Sequence, residues 1–248
     1  MRPDIVNLRQ FYSSRLGRKV RRRLRRLVRH YWPHEDGLHS VGVGYTTHLL
    51  PLPNKADSNA RTLALMPTVQ GAIYWPIDDS NHSILADDMR PPFMPSSLHR
   101  VLFVHGFEHV DAPDECLRVW WQLLTPGGRL MLIVPNRHGL WSRFGSTPFA
   151  RGNAYRFTSL RSLLNEAGFT VRDMRSALFA PPSTHPFCIA CFAAVEWLGM
   201  AFFPRIGGVL LIEAEKQIYA GIREPLQPAK SQTAWAANAT AMSSPRDN

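Results

Sequence analysis

A chain of 248 residues that is 45% apolar and 19% charged has enough greasy surface for a sizeable core, which excludes wholesale disorder and a collagen-like repeat. Three cysteines exclude a disulfide-dense secreted scaffold, and the longest apolar run, Pro186 to Ile212, is broken by Glu196, Pro204 and Arg205, which argues against a spanning helix. The net charge of +10 sits in one segment: residues 1–30 hold eleven Lys or Arg and one acid, Asp4, while residues 31–248 hold eighteen of each sign.

The N-terminus is basic and has no apolar signal core, so a cytoplasmic location is expected, peripheral to a membrane if the basic segment docks on one. Asn7 to Trp32 reads as one helix. Leu8, Phe11, Tyr12, Leu16, Val20, Leu24, Leu27, Val28 and Tyr31 recur at three- and four-residue spacing, arginines fill the other positions, and Pro33 ends the ladder. Residues 1–34 thus form a basic amphipathic unit. Three uses fit it: a cover helix with a solvated arginine face, a surface for anionic membrane or a protein partner, and an RNA contact. Its basic face carries few aromatics, so a base-stacking platform is not apparent.

After Pro33, short apolar runs alternate with helical stretches. Strands are expected at Leu38–Val43, Thr62–Met66, Ser83–Ala86, Val101–His105, Arg129–Val134, Thr170–Ser176 and Gly208–Glu213. The fourth and fifth are continuously apolar, as strands buried on both faces are. Asp111 reads as the cap of a helix with the stripe Leu117, Trp120, Trp121 and Leu124. Thr158 reads as the cap of another, carrying Leu160, Leu163, Leu164 and Ala167 and stopped by Gly168. Strands alternating with helices predict an α/β fold with a largely parallel sheet over residues 35–222. An apolar helix inserted at 186–204 offers an acceptor pocket or a partner surface, and residues 223–248 lack any apolar period and read as disordered.

Four segments carry chemistry. Val41-Gly42-Val43-Gly44-Tyr45-Thr46 follows the first strand, where glycines let the backbone approach a nucleotide. Asp87-Asp88-Met89-Arg90-Pro91-Pro92-Phe93 follows the third. His105-Gly106-Phe107-Glu108-His109-Val110 follows the fourth. Leu124-Thr125-Pro126-Gly127-Gly128-Arg129-Leu130 opens the fifth. In this order and spacing the sequence resembles the class I S-adenosylmethionine-dependent methyltransferases, in particular the branch called methyltransferase type 11, over about residues 8 to 219.

The resemblance implies a Rossmann-like sheet of seven strands, the last antiparallel to the rest, with helices on both faces and S-adenosyl-L-methionine over the strands' carboxyl ends. It implies methyl transfer to a small-molecule or lipid-like acceptor, and the arginine-rich helix leaves an RNA-directed variant open. Gly42, Gly44 and Tyr45, with Thr46, would line the methionine part of the cofactor. Asp87 would contact the adenine amine, with Asp88 and Met89 flanking the ring. Met66 would end the ribose side, His105 would face the cofactor from the fourth strand, and Phe11 and Tyr12 would close over it.

The sequence departs from that pattern at Ser40 and His99, where the family carries acids, at Thr46, where it carries glycine, and at Met66-Pro67, where an acid normally holds the ribose hydroxyls. Loss of that acid removes charge-assisted bonds of about 1.5–3 kcal/mol each, so a methyltransferase-like fold that binds or scaffolds without catalysing stands as the alternative. Main-chain groups, Thr46, Thr68 or Gln70 are the available substitutes.

His105 to His109 also matches a zinc-peptidase spacing, but that chemistry needs a helix, and here an apolar strand leads into the segment. Glu108 and His109 are therefore read as bracing the turn, with His109 also available as a neutral base. Cys188-x-x-Cys191 lacks a second pair of ligands and reads as packing on one helical face. Arg137, Arg143, Arg151 and Arg156 lie in the loop-rich stretch that faces the acceptor in the resembled family. No metal is implied and no catalytic residue is singled out.

Overall fold

The computed structural model describes residues 2–33, 35, 37–51, 61–143 and 147–217. Seven strands are formed: β1 (Ser40–Gly44), β2 (Thr62–Pro67), β3 (Ser83–Ala86), β4 (Leu98–Val104), β5 (Leu124–Pro135), β6 (Phe169–Ala177) and β7 (Val209–Lys216). They make one sheet in the order β3-β2-β1-β4-β5-β7-β6. β1 to β5 pair in parallel, and β7 runs antiparallel to both neighbours, Ile133 facing Leu211 on β5 and Arg175 facing Leu211 on β6. This is the doubly wound sheet expected, with its last strand reversed.

Alternation along the central strands explains why both faces are apolar. Leu102 and Val104 of β4, Met131 and Ile133 of β5 and Leu211 of β7 belong to one core. Val101 and Phe103, Leu130 and Leu132, and Leu210 and Ile212 belong to the other. The second core is covered by α3 (Pro113–Leu123) and α4 (Phe157–Glu166), through Leu117, Trp120, Leu160 and Leu164. The first is covered by α1 (Ile5–Ser13) and α2 (Arg15–Tyr31), through Leu8, Tyr12, Val20 and Leu24.

The N-terminal helix expected from Asn7 to Trp32 is therefore two helices. Ser14 is extended at φ −66°, ψ 165°, and its hydroxyl accepts from the Gly17 amide, capping α2. The break is dense: a Cβ on Gly17 would lie 2.0 Å from the Phe11 carbonyl oxygen. Only glycine lets α2 start against the end of α1.

Two cap assignments also shift. α3 begins at Pro113 behind Ala112, not Asp111, and α4 begins at Phe157 behind Arg156, placing Thr158 inside the first turn. Neither start uses a side-chain cap, because proline at the first position of α3 needs no amide partner and α4 is held by the buried Leu160 and Leu164. The apolar stretch 186–204 forms α5 (Pro186–Ala190) and α6 (Phe192–Phe202), with Cys191 at the joint. Cys188 and Cys191 are half-exposed there rather than packed inside. The expected tail, residues 223–248, lies outside the described residues.

Candidate functional site

Strand order reverses between β1 and β4, so the loops after them diverge and leave a crevice at the carboxyl end of the sheet. The turn after β1 is tight. Gly44 has φ +86°, a Cβ there would lie 2.3 Å from the Val104 carbonyl oxygen, and the Tyr45 amide donates to that oxygen at 2.9 Å. Gly42 faces inward against Thr46, whose hydroxyl would meet a Cβ at 2.2 Å. His105, directly after β4, is fully buried and held at φ +54°. A non-glycine residue there is strained and persists only because its surroundings fix it.

α1 crosses these strand ends. The Ile5 amide donates to the Gln70 carbonyl at 2.9 Å, and Leu8 is completely buried. At its far end the Tyr12 hydroxyl and the His105 Nε2 lie 2.7 Å apart, and the Tyr12 ring stacks on His48 and Tyr45. At its near end Arg2 Nη2 meets Asp88 Oδ2 at 2.7 Å and also donates to the Gly106 carbonyl at 3.3 Å. The Gln70 side chain donates to the His105 carbonyl at 3.1 Å.

The helix thus runs from one cleft to another. A cleft of about 860 Å³ is bordered by Arg2, Thr68, Asp87, Asp88, Met89 and His109. One of about 700 Å³ is bordered by Arg9, Tyr12, Tyr45, His48 and Trp75. Of the ten residues singled out from the sequence, Asp87, Asp88 and Met89 line the first, and Tyr12 and Tyr45 line the second. Gly42, Gly44, Thr46, Met66 and His105 are buried in or just after the strands and line neither cleft. Asp87 Oδ1 accepts from the Met89 amide at 2.9 Å on the exposed edge of the first cleft, while the Asp88 carboxylate is taken by Arg2.

Under α1 lies an unusual concentration of buried polar atoms without hydrogen-bond partners: Thr46 Oγ1, both His48 ring nitrogens, Gln70 Oε1, His105 Nδ1 and both Glu108 carboxylate oxygens. His105 Nδ1 and Glu108 Oε1 are 3.3 Å apart without hydrogen-bond alignment. Each such atom costs about 1–3 kcal/mol relative to a paired one, so a cluster of them marks a place shaped for something other than packing. Burial, then the nearby Tyr45 and Glu108, pushes the Tyr12 phenol well above its ordinary range, so it keeps its proton. Burial also lowers His48, with His105 and arginines 21 and 25 adding to the effect, and holds His109 near 4 despite the opposing Glu108. Both imidazoles are neutral at pH 7.

The segment after β4 folds as the strand end and one short turn, Phe107–His109, not as a continuous helix. The Glu108 backbone carbonyl accepts from the Asn153 amide at 2.7 Å, and Gly152 leaves room for it. Among the described residues, however, neither Glu108 carboxylate oxygen nor His109 Nε2 finds a hydrogen-bond partner, so the bracing expected of these two side chains is made by the main chain instead. Sequence reasoning missed Arg2 and His48. Arg2 is one cation among eleven and its partner is 86 residues away, so nothing local announces it. His48 stands four residues past Gly44, and proximity to the glycine loop was the available signal.

The sequence matches no family model and no curated protein. Solved structures do share its fold. A Thermotoga maritima S-adenosylmethionine-dependent methyltransferase, described as a possible histamine N-methyltransferase, superposes with a TM-score of 0.57 at 15% identity, over 84% of this chain and 94% of that one. A putative methyltransferase solved with the Haloferax volcanii Trm112 activator gives 0.56 at 18%, over 86% and 99%. Geranyl diphosphate C-methyltransferase from Streptomyces coelicolor, solved with Mg2+, geranyl diphosphate and S-adenosyl-L-homocysteine, gives 0.51 at 12%, over 78% and 79%. The fold is that of the class I S-adenosylmethionine-dependent methyltransferases.

Proposed function

We propose that this chain binds S-adenosyl-L-methionine at the β1–β4 crevice and transfers its methyl group to a small-molecule or lipid-like acceptor. One observation carries the reading: the cluster of unpaired buried polar atoms lies at the switch point, between the glycine turn and the cleft edged by Asp87. The residues present suit such a cofactor. Asp87 would hold the adenine amine and Thr68 would stand in for the absent ribose acid, while the turn at Gly42–Gly44, closed by Thr46 and the Val104 carbonyl, would have to open to face the amino-acid part. When bound, the cofactor supplies a methyl group already activated by a sulfonium.

The protein's own work is to orient the acceptor and keep water out. Tyr12 is placed to do both. It covers the crevice, and its hydroxyl pairs with His105 Nε2 at 2.7 Å, which leaves that imidazole as the group on hand to take a proton from an acceptor hydroxyl or amine, while the Glu108 carboxylate lies 3.3 Å from the other ring nitrogen without a hydrogen bond. Arg151 and Phe11 border a separate cleft of about 330 Å³ beside α1, a site for an anionic or apolar acceptor.

A second reading, a methyltransferase-like fold that binds or scaffolds without catalysing, is favoured by the chain's own side chains at the crevice: Thr46 fills the space at Gly42, and Tyr12 of α1 lies against Tyr45 and His105. Titration calorimetry with S-adenosylmethionine and S-adenosylhomocysteine separates the two. Methyl transfer predicts submillimolar binding of both, weakened about tenfold by Asp87→Asn, which removes a charge-assisted bond. No binding of either ligand leaves the scaffold.

A further inference from the structure

We infer that α2 and α6 together form a docking surface for the anionic face of a lipid bilayer. This is independent of what binds at the crevice. The two helices are far apart in sequence and adjacent in space. Arg23 joins them: its Nε donates to Glu196 Oε2 at 3.1 Å, and its Nη2 lies 2.9 Å from the Met200 sulfur. Glu196 is buried and also accepts from the Leu178 and Ala180 amides at 3.2 and 3.1 Å, which fixes α6 on the body of the protein.

That anchoring consumes the one acid of α6 and turns the rest outward. Trp197 is 64% exposed, Phe202 69%, Phe203 60% and Phe187 70%, all on α5, α6 or the residue after it. Between the helices runs a groove of about 280 Å³ whose walls are Lys19, Arg22 and Arg26 on one side and Trp197 and Met200 on the other. Among the described residues, none of those three cations meets an acid.

Cations beside exposed aromatics match one chemistry closely: phosphate headgroups above, acyl chains below. A large apolar patch on a monomer marks a contact surface, and aromatic rings settle at the level of lipid headgroups. Nucleic acid is disfavoured because α6 presents no exposed polar side chain to read a base edge, its glutamate being turned inward. At eleven residues α6 is too short to cross a bilayer, and no helix among the described residues is long and apolar enough to do so. The protein would lie on the surface, with the aromatics immersed and the arginines among the headgroups.

The test is co-sedimentation of the full chain with vesicles of phosphatidylcholine alone and of phosphatidylcholine with about a third phosphatidylglycerol, at about 0.1 M salt. Binding to the anionic vesicles only is expected, with a blue shift of tryptophan emission that Trp197→Phe removes while binding persists. Arg22→Gln with Arg26→Gln, and separately Trp197→Ser, should each lower partitioning about tenfold. The arginine pair is exposed and leaves folding intact, so it decides the matter if the serine variant misfolds. Failure to bind anionic vesicles overturns the proposal. So does binding that both variants leave unchanged, or polyuridylate displacing the protein from vesicles with an affinity that Trp197→Ser does not alter.

Discussion

Tyr12 and His105 illustrate how much one contact holds. The pair is buried, 2.7 Å apart, and sits among atoms that lack partners. Tyr12→Phe keeps the ring stacked on His48 and removes only the hydroxyl, leaving the histidine's Nε2 unpaired. Urea denaturation should show a loss of about 1–3 kcal/mol, and a double-mutant cycle with His105→Leu should be strongly non-additive, because the second change removes the orphan the first creates. His109 makes a different prediction. Its pKa falls from 6.5 to about 4 on folding, so below pH 6.5 the unfolded chain takes up a proton that the folded protein refuses. This contribution to stability is complete above pH 6.5, shrinks as pH drops, and is gone by about 4. His48, also lowered by burial, acts in the same direction. The urea midpoint should therefore fall across that window, and His109→Gln should flatten the slope.

At the scale of elements, the joints matter more than the spans. Gly44→Ala places a methyl group 2.3 Å from a carbonyl in a left-handed turn, so β1 and β4 must separate. The melting temperature should drop by well over the few degrees that about 1 kcal/mol represents in a chain of this size. Gly17→Ala should loosen α1 specifically, seen as faster amide exchange at Leu8 and Tyr12 with β4 and β5 unaffected. The strands were readable because a run such as Val101–Val104 has no polar position to expose, whichever face it shows. The helix break at Ser14 was not. The apolar stripe continues through it, and what interrupts the helix is a close approach between Gly17 and the Phe11 carbonyl, which no periodicity records. The caps of α3 and α4 were misplaced for a related reason. Asp111 and Thr158 have capping chemistry, but tertiary packing set the starts.

For the whole molecule, the order of motifs was legible and their depth was not. Glycine turn, acid loop, post-strand histidine and Pro-Gly-Gly segment follow one another as in a doubly wound sheet, and the sheet is there. That Asp88 would be neutralised by Arg2, or that Thr46 would fill the cradle of Gly42, depends on contacts that only the folded chain makes. The charge asymmetry was legible as a segment. Its pairing with the aromatics of α6 was not, since 173 residues separate Arg23 from Glu196. Ligand linkage offers a global check on the crevice: a cofactor at a hundredfold excess over its dissociation constant stabilises the native state by about 2.7 kcal/mol, which differential scanning calorimetry reads as a rise of several degrees.

α1 has nine residues, about 13 Å of helix, and holds its shape by lying on the strand ends. Lifted away, a helix that short has little reason to stay coiled in water. Reaching the buried Tyr12–His105 pair is then a small unfolding event, and its frequency caps how fast any molecule gets to it. In stopped-flow mixing, the observed rate should climb with ligand concentration and then level off at the speed with which this strap peels back, whatever the identity of the guest.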